Sequence, residues 1–197
     1  QLYWVYDLDD NGEPGGRYIS DDFQKASQSK LISGSRIPDL YGAFGSSVII
    51  YKNFDLSFMA TFSLGGEIYE SVYVNLLNPI YIGTNYAANV ERAWRKPGDV
   101  TDIPRIQNGT GFSRPFTNSQ IVDASYFAIK NITFGYNLPT DILQTVGIES
   151  LRAYVSFDNV ALFSHLDGMN PQHNFTGTTN FSYTPVRTSL IGIELKF

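Results

Sequence analysis

Residues 53–64 read NFDLSFMATFSL and change character at every step. Phe54, Leu56, Phe58, Ala60, Phe62 and Leu64 fall on one side of an extended chain, and Asn53, Asp55, Ser57, Met59, Thr61 and Ser63 on the other. A period of two belongs to a strand with one face in an apolar medium. A helix would scatter the same apolar side chains around its axis. The pattern recurs at 151–158, where Leu151, Ala153, Val155 and Phe157 oppose Arg152, Tyr154, Ser156 and Asp158. It recurs at the C-terminus, where Ile191, Ile193, Leu195 and Phe197 oppose Gly192, Glu194 and Lys196.

Two further stretches read as strands with less regular faces. Leu40 to Tyr51 is extended, with small residues blurring its sides, and only Lys52 and Asn53 separate it from the next run. That spacing predicts a tight hairpin. In Tyr126 to Tyr136, Ile132, Phe134 and Tyr136 oppose Asn131, Thr133 and Gly135, and the phase slips near Lys130. Such a slip is what a β-bulge produces. With the opening QLYWVY the count is about six antiparallel strands, and LPTDILQTVGIES holds one short helix opened by Thr140 or Asp141.

The connections alternate in length. Lys52–Asn53 and Asn137–Glu149 are short, whereas Asp7–Pro38, Gly65–Ile121 and Ser164–Tyr183 are long and polar. Short turns at one rim and long loops at the other are the layout of outer-membrane barrels. A soluble β-sandwich alternates in the same way. What favours the barrel is that the polar faces carry Arg152, Asp158, Glu194 and Lys196 among small residues, as a wet lumen would, while the apolar faces are unusually aromatic. Tyr51, Phe54, Tyr136 and Phe197 also gather at the short-turn rim as a girdle would. No run is long and apolar enough for a transmembrane helix, and this does not exclude a membrane, because a transmembrane strand needs only about 9–11 residues of alternating character. The net charge of −5 argues against nucleic-acid binding, and the lack of cysteine excludes disulfides and thiolate metal sites.

Taken in order, the segments resemble the C-terminal part of SusC/RagA-type TonB-dependent outer-membrane transporters. The stretches that carry the resemblance are YWVYDLDDNGEPGGRYISDDF, YKNFDLSFMATFSLGGEIYE, RAWRKPGDVTDIPRI, ASYFAIKNITFGYNLPTDIL, LRAYVSFDNVALFSHLDGMNPQ and TPVRTSLIGIELKF. Two departures lie in loops: an inserted EPGGR, and Asn170-Pro171-Gln172 where the family has Asp-Pro-Glu. The resemblance implies an all-β fold: an antiparallel transmembrane β-barrel of about 22 strands, of which residues 1–197 supply about the last six. The plug domain and the earlier strands would lie outside this chain, which begins at Gln1 without an initiator methionine or signal peptide. The implied function is TonB-dependent import of oligosaccharides or peptides across the outer membrane of a Gram-negative, Bacteroidota-like bacterium. Implied partners are a SusD-like surface lipoprotein, TonB, the remainder of the barrel, the cargo and outer-membrane lipid. The terminal Phe197 resembles the signal by which such barrels are recognised for assembly. No catalysis is expected.

Candidate site residues are few. Asp7, Asp9 and Asn11 at alternate positions before Gly12 match the first half of a calcium-binding loop and could hold Ca2+ or Mg2+, with Asp21 or Asp22 as further ligands. The twelfth position is Tyr18 rather than Glu, and the alternative is an acidic surface turn. Tyr69, Tyr73, Tyr81, Tyr86 and Trp94 lie among polar loop residues and could stack on sugar rings or peptides, or pack the loop. Glu67 and Glu70 are the one carboxylate pair a β-rich hydrolase could use. The remaining alternative is a soluble β-sandwich serving as a binding module or adhesin.

Overall fold

The computed structural model describes residues 3–77, 83, 85–101, 103, 105–106, 118–143, 147–165, 169–173, 176–178 and 183–197. The strands are β1 (Tyr3–Leu8), β2 (Pro14–Ser20), β3 (Leu40–Ile50), β4 (Phe54–Leu64), β5 (Glu67–Tyr69), β6 (Ile121–Asp123), β7 (Tyr126–Asn137), β8 (Ser150–Ser164) and β9 (Thr188–Lys196). Three short helices join them: α1 (Phe23–Gln28), α2 (Ser71–Leu77) and α3 (Thr140–Leu143). The chain divides into two units, residues 1–34 with 73–118, and residues 35–72 with 119–197.

The second unit is built on one antiparallel sheet of five strands in the order β3-β4-β7-β8-β9. The opening strand is not among them. β1 pairs instead with β2 through Trp4↔Ile19 and Val5↔Tyr18, in a hairpin of its own. This corrects the strand count: the sheet has five members, not six. The partner of β1 was hidden in EPGGRYIS because its glycines and Pro14 carry no alternation. An 11-residue strand such as β4 is roughly 36 Å long. Tilted as in a barrel wall, it rises about 25 Å, the height of a lipid-facing band.

Cross-strand register settles which residues share a face. One face of β4 carries Phe54, Leu56, Phe58, Ala60 and Phe62, opposite Ile50, Val48, Ser46, Phe44 and Gly42 of β3. Across β7 the same face continues with Tyr136, Phe134, Ile132, Ile129 and Phe127. β8 and β9 extend it through Ala153↔Ile193 and Val155↔Ile191. Aromatic rings run along it: Phe44 lies 5.9 Å from Phe58 and 6.1 Å from Phe127, which lies 6.2 Å from Phe163. Ala60 is fully covered in their midst. Much of the rest is open to the surroundings, with Ile191 83% and Ile193 67% exposed. A soluble monomer rarely exposes an apolar surface this continuous.

The phase slip in β7 is a bulge at Lys130. Met59 faces Asn131 while the next residue, Ala60, faces Ile129, so Lys130 is the extra residue. β8 carries a matching irregularity, with Asn159 in the left-handed region at φ 51°. The turn after β3 has three residues, Tyr51 to Asn53, rather than the two expected. Tyr51 and Lys52 both take positive φ there, and Ile50 pairs directly with Phe54. The short helix lies where expected, but α3 begins at Thr140, so Thr140 and Asp141 are its first residues rather than its cap, and it buries Leu143. The girdle residues share one end of the sheet, and the Phe54 and Tyr136 rings stand 4.7 Å apart.

The first unit packs more locally. α1 is capped by Asp22, whose carboxylate accepts the N–H groups of Gln24 and Lys25. Its Phe23 ring lies 5.6 Å from Tyr3, beside the buried Val5. A second small cluster gathers Leu77, Ala93 and Ile103 with Tyr73, Ala87 and Val90.

Candidate functional site

The opposite face of the five-stranded sheet is polar, and its side chains are tied together across strands. At the short-turn end, Arg152 on β8 reaches over β7 to Asp55 on β4. Its Nε and Nη2 donate to the two carboxylate oxygens at 3.0 and 2.7 Å. A third nitrogen donates to Glu194 on β9 at 3.2 Å, and Asn137 donates to Asp55 at 3.1 Å. One guanidinium thus links β4, β8 and β9. The two-point geometry fixes the planes of both groups, which a lysine could not do.

The span depends on two glycines. Gly135 stands between Asp55 and Tyr154 in the register, and a Cβ there would occupy the place of the Asp55 carboxylate. Gly192 stands opposite Tyr154, whose ring would overlap a Cβ on it. The Arg152 guanidinium in turn lies 4.9 Å from the Tyr154 ring centre. Mid-strand, a second cluster forms. Asn131 donates to Ser156 at 2.8 Å and Asp158 at 2.7 Å, and accepts from Thr133 at 3.0 Å. Hydroxyls, amides and carboxylates in this order make a surface that a hydrated solute can pass along.

Past the other end of the sheet, the β4–β7 pair bends and continues as the small β5–β6 ladder. Gly65 and Gly66 make the bend at φ 76° and 80°, where a side chain on Gly66 would press on the Arg36 carbonyl. Ser125 Oγ accepts the Gly65 N–H at 2.8 Å while donating to Asp123 at 2.6 Å. The Ser125 hydroxyl, then its N–H, hold the Asp123 carboxyl below the usual carboxylate range. Beyond the bend Ile68, Glu70 and Gln120 are buried, and Tyr69 donates to Gln120 Oε1 at 3.0 Å.

The structure sorts the expected site residues as follows. Asp7 lies one residue before the end of β1, opposite Gly16, while Asp9 and Asn11 lie in the turn. Asp9 Oδ1 accepts the N–H groups of Asn11 at 2.9 Å and Glu13 at 2.8 Å, so this acid organises its own hairpin. Those bonds, Glu13 first, hold its carboxyl below the usual range. Asp22 serves α1. Among the described residues, no three His, Asp or Glu side chains gather as a metal-binding group. Of the loop aromatics, Tyr69 and Tyr73 are engaged internally, the latter accepting from Asn89 at 2.6 Å. Trp94 is half-buried, Tyr86 is 40% exposed, and Tyr81 lies outside the described residues. Glu67 is exposed and Glu70 buried, so the pair shares no open cleft. Sequence reasoning missed Gly135, Gly192 and Ser125, since only the register shows what stands opposite them.

Relatives agree with this geometry. The chain is 30% identical to the TonB-dependent receptor P3 of Formosa agariphila over 96% of its own length and 20% of that protein. It is 25% identical to the TonB-dependent receptor P39 of the same organism, over 87% of this chain and 17% of that one. It therefore spans about a fifth of the curated relatives it matches. Among solved structures, a chain of the RagAB peptide importer in its closed-closed state superposes with a TM-score of 0.81 at 21% identity. That match covers all of this chain and 21% of the other. No family model matches. The resemblance to SusC/RagA-type TonB-dependent transporters holds in sequence and in fold, and the sheet is a segment of an antiparallel transmembrane β-barrel wall.

Proposed function

We propose that this chain forms wall, lumen lining and outer loops of a TonB-dependent importer in the outer membrane of a Gram-negative bacterium. The observation that carries this reading is the division of one sheet into an aromatic belt and a hydrogen-bonded polar face. A sheet with free edges at β3 and β9 and an apolar face this open is stable as part of a closed cylinder in lipid. The polar face then lines a wet lumen, and the cargo is an oligosaccharide or a peptide too large for passive pores. Likeness to a peptide importer, whose fold is shared, supports such a cargo. A SusD-like lipoprotein at the outer loops and TonB, acting through parts beyond this chain, complete the proposal. None of the relatives named above is an enzyme by name, and this segment does no chemistry of its own.

The test is to isolate the native protein from detergent-solubilised outer membranes and identify what accompanies it by mass spectrometry. Recovery with plug-and-barrel sequence, a surface lipoprotein and bound oligosaccharide or peptide is expected. Recovery as a free water-soluble protein would overturn the reading.

A further inference from the structure

β8 runs on to Ser164, but β9 begins only at Thr188, so residues 159–164 of β8 lack a β9 partner. Residues 183–187 pass alongside as irregular chain, tied by Asn159 Nδ2 donating to the Val186 carbonyl at 3.2 Å. Together with the bulges at Lys130 and Asn159, this leaves a cavity of about 400 Å³ above the last paired rung. Its polar lining comes from Lys130, Asn159, Asn170, Gln172, Thr184 and Arg187. Among the described residues that line it there is no carboxylate.

Two features define what this cavity can hold. It has two cations, and among the described residues the ion pairs lie elsewhere, at Arg152 with Asp55 and Glu194, and at Lys196 with Glu149. Lys130 is half-buried, a placement that costs desolvation unless an anion answers it. One of the lining amides is also turned to donate. Asn170 Oδ1 already accepts the Gln172 N–H at 3.0 Å and Gln172 Nε2 at 3.1 Å, which leaves Asn170 its N–H donors. A cavity with two positive charges and the Asn170 amide donors suits a carboxylate, sulfate or phosphate oxygen set.

We propose that this cavity is an oxyanion subsite at the upper end of β8, beyond the start of β9. Its ligand is the acidic group of a small soluble molecule or the phosphate of an outer-leaflet lipid. The first source rests on the importer reading; the site itself does not. Full-length protein purified from outer membranes in detergent is titrated calorimetrically with tri-glutamate and with tri-glutamine. Co-purifying phosphorylated lipid is quantified by mass spectrometry. The double variant Lys130→Gln/Arg187→Gln is expected to lose binding about tenfold or more, each cation contributing charge-assisted bonds. Asn170→Asp/Gln172→Glu keeps side-chain shape, adds two negative charges, and should do the same. Lys130→Gln/Arg187→Gln should retain the wild-type melting temperature, and Asn170→Asp/Gln172→Glu, which gives up the bond between Gln172 and Asn170, should lower it while leaving the protein folded.

Selective loss of tri-glutamate binding assigns the subsite to soluble ligands, and selective loss of bound phosphorylated lipid assigns it to the membrane. Equal binding of tri-glutamate and tri-glutamine with unchanged lipid, or variants that alter neither, overturns the proposal. Because binding is read without transport, failure of import would appear separately.

Discussion

Phe58 and Ser57 are adjacent in sequence and stand on opposite faces of β4, which makes them a sharp test of the wall assignment. Phe58 is mid-strand, opposite Ser46 and Ile132, with its ring 5.9 Å from Phe44. Ser57 faces Ser47 and Thr133 on the polar side. In lipid, an arginine at the position of Phe58 would sit near the bilayer midplane, at a cost of about 2–4 kcal/mol. At about 3 kcal/mol the folded-to-unfolded ratio falls roughly 150-fold. Phe58→Arg also gives up the ring contact, so the figure is a lower bound. Ser57→Arg places the same charge in water, where the cost is within about 0.5 kcal/mol. Urea unfolding of the full-length protein in phospholipid vesicles, followed by heat-modifiable gel mobility, reads both variants on one scale. Equal losses for the two variants would refute the assignment of faces, and with it the barrel reading. A larger loss for Ser57→Arg would show the faces reversed.

Four other expectations follow from named contacts. Arg152→Ala should destabilise the wall by about 1–2 kcal/mol, the worth of charge-assisted bonds discounted for partial exposure. Gly135→Ala should cost about 1–3 kcal/mol by displacing Asp55, and markedly less in the Arg152→Ala background; additive costs in a double-mutant cycle would sever the two. At the Gly65–Gly66 bend, Asp123 has a lowered carboxyl pKa, so its contribution is complete above the unfolded-state value of about 3.9. It is lost as pH falls through the still lower folded value. Protection of the Gly65 amide against hydrogen exchange should therefore be flat at neutral pH and drop below about pH 4, and Asp123→Asn should abolish that drop. Because Asp9 already closes its hairpin through Asn11 and Glu13, millimolar Ca2+ should leave the melting temperature unchanged. A rise lost in Asp9→Asn would favour a cation site at Asp7, Asp9 and Asn11.

How much could be read before the structure depended on whether a feature repeats along the chain or across it. The faces of β4, β8 and β9 are written as a period of two, and even the bulge at Lys130 shows as a break in that period. The β1–β2 hairpin was missed because Pro14, Gly15 and Gly16 alternate with nothing, and only their hydrogen-bonded register with Leu8 and Asp7 makes them a strand. The polar cluster was half legible. Arg152 and Glu194 are visible on a polar face, but Asp55 lies 97 residues from Arg152, and Gly135 reads only as one more small residue on its face. It is instead the opening through which two charges meet. A glycine inside a strand lowers its local stability, so the sheet accepts that cost where a side chain would separate β4 from β8. The same reasoning applies to Gly192 beneath Tyr154. Both glycines lie on the polar face, whereas Gly42 lies on the apolar one against the Phe62 ring. Small residues in this wall therefore mark where large partners cross it, and their position on either face follows from what must cross there.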